Sequence, residues 1–327
     1  MPEAHSRAHS RAHPSPGVHG FALLTAWATF VLIFVGGLVT STGSGLAVPD
    51  WPLSFGQVFP PMVGGILYEH GHRLVAALVG LLTVLLAAWL WMVEPRGWVR
   101  GLGIGALLVI LLQGLLGGLT VLYLLPIPIS VAHALLAQVF FCLTVALAVV
   151  TGPGWARRAG RSGDPVGLGL PILSAVTVTA VFGQLILGAV MRHTGAGLAI
   201  PDFPLAFGRL VPPLESEAVL IHFLHRVGAV AVSACVAWTV LRVLARHRKD
   251  AWLFRPALAL SGLVLAQLFL GALTIWTQRG VFVTTAHVAG GAGVLAASLT
   301  LMLRASRLAA WPGPVAAREA VRRQVPA

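Results

Sequence analysis

Residues 42–56 read TGSGLAVPDWPLSFG, and residues 194–208 read TGAGLAIPDFPLAFG. The two stretches align at an offset of 152, and the alignment runs on past them. Pro60-Pro61 pairs with Pro212-Pro213 at the same offset, His72-Arg73 with His225-Arg226 at 153, and His133 with His287 at 154. LLQGLLGGLTV (111–121) pairs with LAQLFLGALTI (265–275), also at 154. So small a drift over half a chain marks a duplicated unit, and an internal repeat constrains the fold before any local signal does.

The repeated segments lie among long apolar runs. Of 327 residues 57% are hydrophobic and 10% charged, against about 25% charged in a soluble domain. Runs near or above the ~20 residues that cross a bilayer fall at 21–40, 67–92, 101–124, 128–150, 168–191, 217–244, 253–277 and 281–304. The fold class expected is an all-α integral membrane protein of eight spans, arranged as two tandem four-helix bundles. An offset of four helices keeps each copy in the same orientation, so a pseudo-twofold axis along the membrane normal relates them. The units read as a disordered cytoplasmic tail (1–20), an N-terminal bundle (21–150), a Gly/Pro/Arg-rich cytoplasmic linker (151–167), a C-terminal bundle (168–304) and a cytoplasmic tail (305–327).

The net charge of +12 does not indicate nucleic acid. All but five of the 22 Lys and Arg residues fall on one side of these spans, the exceptions being Arg73, Arg192, Arg209, Arg226 and Arg279. By the positive-inside rule both termini are cytoplasmic, and the 41–66 and 192–216 loops lie outside. Cys142 and Cys235 fall within spans and read as small apolar residues. The N-terminal segment with His5, His9, His13 and His19 has no apolar core before a cleavage site, so it reads as a polar extension rather than a signal peptide; metal binding there is the weaker alternative.

Four histidines inside the spans carry the chemistry. His72 and His133 each sit about five residues in from the outer end of a span, which at 1.5 Å per residue puts them at similar depth. His225 and His287 repeat the arrangement. Ionisable groups within a membrane are costly and raise a functional hypothesis. A single such histidine is as readily a hydrogen-bonding residue between helices. Two matched pairs on facing helices suit axial ligation of heme iron, one pair per half. Zinc fits less well, since two nitrogens per half leave its ligand set short.

Arg73 and Arg226 directly follow two of these histidines. Each has two readings: a partner for a heme propionate, or an interfacial arginine snorkelling to water. Glu69 stands three residues before His72, where the second half has His222. A carboxylate in one half only suggests a proton acceptor or a stabiliser of developing positive charge; capping of the helix start is the plainer alternative. His222 reads as an alternative ligand or a hydrogen-bond partner, and His70 as facing the loop or headgroups. Asp50 and Asp202 read as turn residues of the outer loops. These loops, about 25 residues each, are long for connectors and are expected to fold over something.

Taken together, the Glu69-x-x-His72-Arg73 motif, the TGSGLAVPDWPL loop, His225-Arg226, His133 and His287 resemble the heme A synthase family over residues of about 20 to 305. The resemblance implies an oxidoreductase that converts the C8 methyl of heme O to a formyl group by water-derived hydroxylations, for cytochrome oxidase assembly. It implies that His72 and His133 ligate the substrate heme with Glu69 as the catalytic carboxylate, and that His225 and His287 ligate a heme b cofactor. The implied setting is the bacterial cytoplasmic membrane and its lipids, with heme O synthase supplying substrate to this chain and an electron acceptor that the resemblance does not name. One departure stands out: many bacterial members carry a cysteine pair in the first outer loop, and residues 41–66 contain none. Two other readings fit the four histidines: a di-heme cytochrome b passing electrons from quinol, and a heme transporter or chaperone. Heme O synthase itself does not fit, for no loop holds an aspartate-rich motif.

Overall fold

The computed structural model describes residues 16–158 and 169–309. Eight long helices run through them: α1 (Pro16–Ser41), α2 (Gly65–Val93), α3 (Gly97–Leu122), α4 (Ile127–Val150), α6 (Leu170–His193), α7 (Glu217–Arg246), α8 (Ala251–Trp276) and α9 (Val281–Leu308). A single short turn, α5 (Pro153–Arg157), follows α4. All eight are long and apolar enough to cross a bilayer, and the chain is a multi-pass, all-helical membrane protein. The helices start where sequence favours it. Proline occupies the first turn of α4, α5 and α6, where its missing N–H is no loss, and the Asp250 carboxylate caps α8 by accepting from Trp252 N–H at 3.0 Å. Helix α1 starts earlier than the apolar run suggests and takes in residues 16–20. The expectations for residues 1–15, 159–168 and 310–327 lie outside the described residues.

Each helix turns large apolar side chains outward, among them Trp27, Leu111, Leu265 and Phe282, as suits a surface bathed in lipid. Inside, α1 to α4 pack on one another, as do α6 to α9, and the two sets meet where α1 and α4 lie against α9 and where α4 lies against α6. Helix α9 enters both apolar cores, through Ala292 and Leu299 on one side and Val294, Leu295 and Leu301 on the other. At the end opposite the long loops, Arg96 pairs with Glu94 at 2.6 Å and donates to the carbonyl of Val150, while Arg304 lies over the Trp252 ring at 4.1 Å.

The two repeated loops fold alike. In each, an aspartate accepts two backbone N–H groups: Asp50 from Phe55 at 2.7 Å and Gly56 at 2.8 Å, Asp202 from Phe207 at 2.7 Å and Gly208 at 2.8 Å. The N–H groups of Gly56 and Phe55 hold the Asp50 carboxyl below the ordinary carboxylate range, and those of Gly208 and Phe207 do the same for Asp202. The glycine is needed because this turn residue has φ near 70° in both loops. The loops cap the helix ends: Trp51 lies on Gly118 of α3, and Phe203 stands edge-on to Trp276 of α8 at 6.1 Å.

Candidate functional site

The four span histidines all approach a glycine on the preceding helix. A Cβ at Gly36 of α1 would lie 3.0 Å from Cε1 of His72, and one at Gly117 of α3 would lie 3.1 Å from Cε1 of His133. In the second half, the distances are 3.3 Å from Gly188 of α6 to His225 and 3.3 Å from Gly271 of α8 to His287. Every imidazole is thus seated in a notch that a side chain would fill. One turn before the glycine, three of the four helices carry a glutamine: Gln113, Gln184 and Gln267. Gln113 donates to the His133 carbonyl at 3.0 Å, and Gln184 donates to the His225 carbonyl at 2.8 Å while lying 3.1 Å from its Nδ1. Gln267 lies against Gly290, three residues past His287. The fourth helix has Leu32 in place of glutamine. The full Gln-x-x-x-Gly pattern recurs at the repeat offset of 154, while at 152 only the glycine does; this was legible in the sequence, although the sequence reading passed over it.

The span histidines of each half lie near one another. The rings of His225 and His287 have centroids 6.4 Å apart at an interplanar angle of 77°, and His72 and His133 lie close enough for their charges to interact. Two imidazoles holding one metal between them at about 2 Å per bond have ring centres about 6 Å apart, so the second pair is spaced for an iron. The Nδ1 atoms of His72, His133 and His287 are buried without a hydrogen-bond partner among the described residues, and a buried polar atom left so costs about 1–3 kcal/mol. A cavity of about 240 Å³ opens beside the second pair, with His225, His287, Gln184, Gln267, Arg192 and Arg279 on its wall. The residues present therefore fit a heme in this half. Among the described residues no three His, Cys, Asp or Glu side chains gather as a metal cluster.

Glu69 and Arg73 do something the sequence did not disclose. Glu69 is buried, with Oε2 accepting Val48 N–H at 2.8 Å and Oε1 accepting from Arg73 at 2.6 Å. Arg73 also donates to the carbonyls of Asp50, Leu53 and Val48. The second half copies this with different chemistry. His222 Nδ1 accepts Ile200 N–H at 3.2 Å, its Nε2 lies 3.4 Å from Arg226 Nε, and Arg226 donates to the carbonyls of Leu205, Ile200 and Asp202. Glu69 and His222 are equivalent acceptors that dock the long loop of each half, so capping of the helix start does not describe Glu69, and His222 is a hydrogen-bond partner. Arg73 and Arg226, expected either to meet propionates or to snorkel, spend their donors on loop backbone, and Arg226 is not among the residues around the cavity. His70 is buried, with Nδ1 2.7 Å from Ser54 Oγ; it faces the loop rather than the headgroups. Cys142 and Cys235 are free thiols.

The sequence profile of the COX15-CtaA family, described as cytochrome oxidase assembly protein, matches residues 62–299. Relatives named heme A synthase are similar over most of their length. That of Symbiobacterium thermophilum is 35% identical over 290 residues, 83% of this chain and 91% of the relative. That of Halalkalibacterium halodurans is 32% identical over 279 residues, 82% and 90% of the two chains, and that of Shouchella clausii 31% over 279 residues, 79% and 90%. With a profile match across most of the chain and relatives at this identity, the chain belongs to the COX15-CtaA family of cytochrome oxidase assembly proteins.

Proposed function

We propose that the chain is a heme A synthase, which oxidises the C8 methyl of heme O to a formyl group. The observation that carries this reading is the duplicated histidine pair, each ring backed by a glycine and one pair spaced for an iron. In this reading the α1–α4 half holds heme O between His72 and His133. His225 and His287 hold a heme b, which would supply electron transfer. Each hydroxylation takes its oxygen from water and removes two electrons and two protons; a second gives a geminal diol, and loss of water leaves the formyl group. The electrons pass to an acceptor outside the chain. Heme O synthase delivers the substrate, and both termini face the cytoplasm.

Glu69 stands three residues before His72 on α2, where the second half has no carboxylate. Of the roughly four acceptor positions on a carboxylate, the loop N–H and Arg73 occupy two. The others are free to orient a water, or to stabilise positive charge as the methyl is oxidised. The carboxylate is pre-positioned by the loop, which saves reorganisation during reaction.

The test is conversion. Membranes containing the protein and heme O should yield heme A or its hydroxylated precursor on extraction and chromatography. Heme b alone at both sites with no turnover would point to a di-heme cytochrome. The glycine notches make a second prediction. Gly188→Ala asks the His225 ring to yield a few tenths of an ångström, and should be mild. Gly188→Val overpacks the notch at about 1–3 kcal/mol and should cut heme bound by the purified protein several-fold. Unchanged heme content in the valine variant would show that the notch does not seat the ring.

A further inference from the structure

The outer rim of the cavity beside His225 and His287 is cationic in a way the other half is not. Arg192, at the end of α6, is half-buried; its Nη2 donates to the Gly37 carbonyl at 2.8 Å and to Ser41 Oγ at 2.9 Å. Its Nη1 is buried and has no partner among the described residues. Arg279, in the short α8–α9 connection, is exposed at the same rim, near enough for its charge to act on Arg192. His193 lines the rim too. Among the described residues neither arginine has a carboxylate within ion-pairing distance, whereas Arg73, Arg96 and Arg158 do. At the repeat offsets Arg192, His193 and Arg279 correspond to Thr40, Ser41 and Leu125. The backbone is not the source of the difference: Leu125 and Arg279 share a left-handed conformation, with φ 59° and 65°.

Two guanidiniums side by side at the mouth of an apolar cavity repel one another and need an anion. Resting on the heme reading above, we propose that Arg192 and Arg279 form a carboxylate clamp that grips the propionates of the tetrapyrrole between His225 and His287. The half with Thr40 and Leu125 has no such clamp. One half retains its tetrapyrrole as a resident group; the other lets it go, as a site whose product must leave requires. Arg192 also ties α6 to α1, so its removal threatens folding, and the exposed Arg279 is the better probe.

The experiment measures how fast iron protoporphyrin IX leaves the purified full-length protein for an excess of apomyoglobin, for the parent, Arg279→Gln and Arg192→Lys. A charge-assisted hydrogen bond lost from a partly buried site corresponds to roughly ten-fold or more in rate, and Arg279→Gln should release heme faster by that factor. The dimethyl ester of the same heme, with both carboxylates masked, should leave the parent at least as fast as the free acid leaves Arg279→Gln. Its release should not respond to the substitution. Leu125→Arg, which installs the missing cation in the other half, should slow release of heme O from that half. If both arginine variants hold the free acid as tightly as the parent, and the ester behaves like the acid, there is no clamp. If the parent binds no heme, the underlying heme reading fails instead.

Discussion

Glu69→His is expected to fold as the parent does yet fail to convert heme O, whereas Glu69→Ala should lose both stability and activity. The second half supplies the reason. There, His222 accepts a loop N–H and faces Arg226 in the manner of Glu69 with Val48 and Arg73, so an imidazole can already do the docking. Alanine can do neither. It leaves Val48 N–H unpaired and the Arg73 guanidinium, whose side chain is only 17% exposed, without its counter-charge. Breaking a buried pair from one side costs about 3–5 kcal/mol. Thermal unfolding in detergent reads the structural part, and heme O conversion reads the chemical part. Full conversion by Glu69→His would refute a chemical role for the carboxylate; an alanine variant as stable as the parent would refute the docking role.

His225→Ala and His72→Ala should part company. Removing an axial ligand is more severe than removing an outer-shell partner, which typically costs 10–100-fold in metal affinity. His225→Ala should therefore be purified with little heme b and an altered absorption spectrum, and should not turn over. His72→Ala should keep the heme b spectrum of the other half while conversion of heme O falls by at least a hundredfold. Loss of the same heme from both variants would remove the assignment of one role to each half.

The spans were legible because each is a long apolar run, and length alone decides that. Their ends were less so. Helix α1 takes in residues 16–20 ahead of the apolar run, and hydropathy carries no signal for them. The repeat made the histidine pairs legible, since residues that recur at 152 to 154 have a shared reason to be there. The destination of Glu69 was harder. Its contact with Val48 depends on how the loop folds back, although its four-residue spacing from Arg73 already permitted a pair. Arg192 and Arg279 stood out in the sequence only as two of the five basic residues on the side of the long loops; neither recurs at the repeat offsets, so nothing there brought them together.

Gly36 and Gly37 of α1 stand side by side, and consecutive helical residues point about 100° apart. Gly36 accommodates the His72 ring, while Gly37 lies against Thr285 of α9 and offers its carbonyl to Arg192. The matching pair on α6 is Gly188 and Ala189, so only one of the two glycines recurs. A substitution at Gly36 is therefore felt by the His72 ring of its own half, whereas one at Gly37 is felt by α9 of the other half. Gly37 is thus a point where the first half is fitted to the second, and the room for its side chain is set by a helix outside its own repeat.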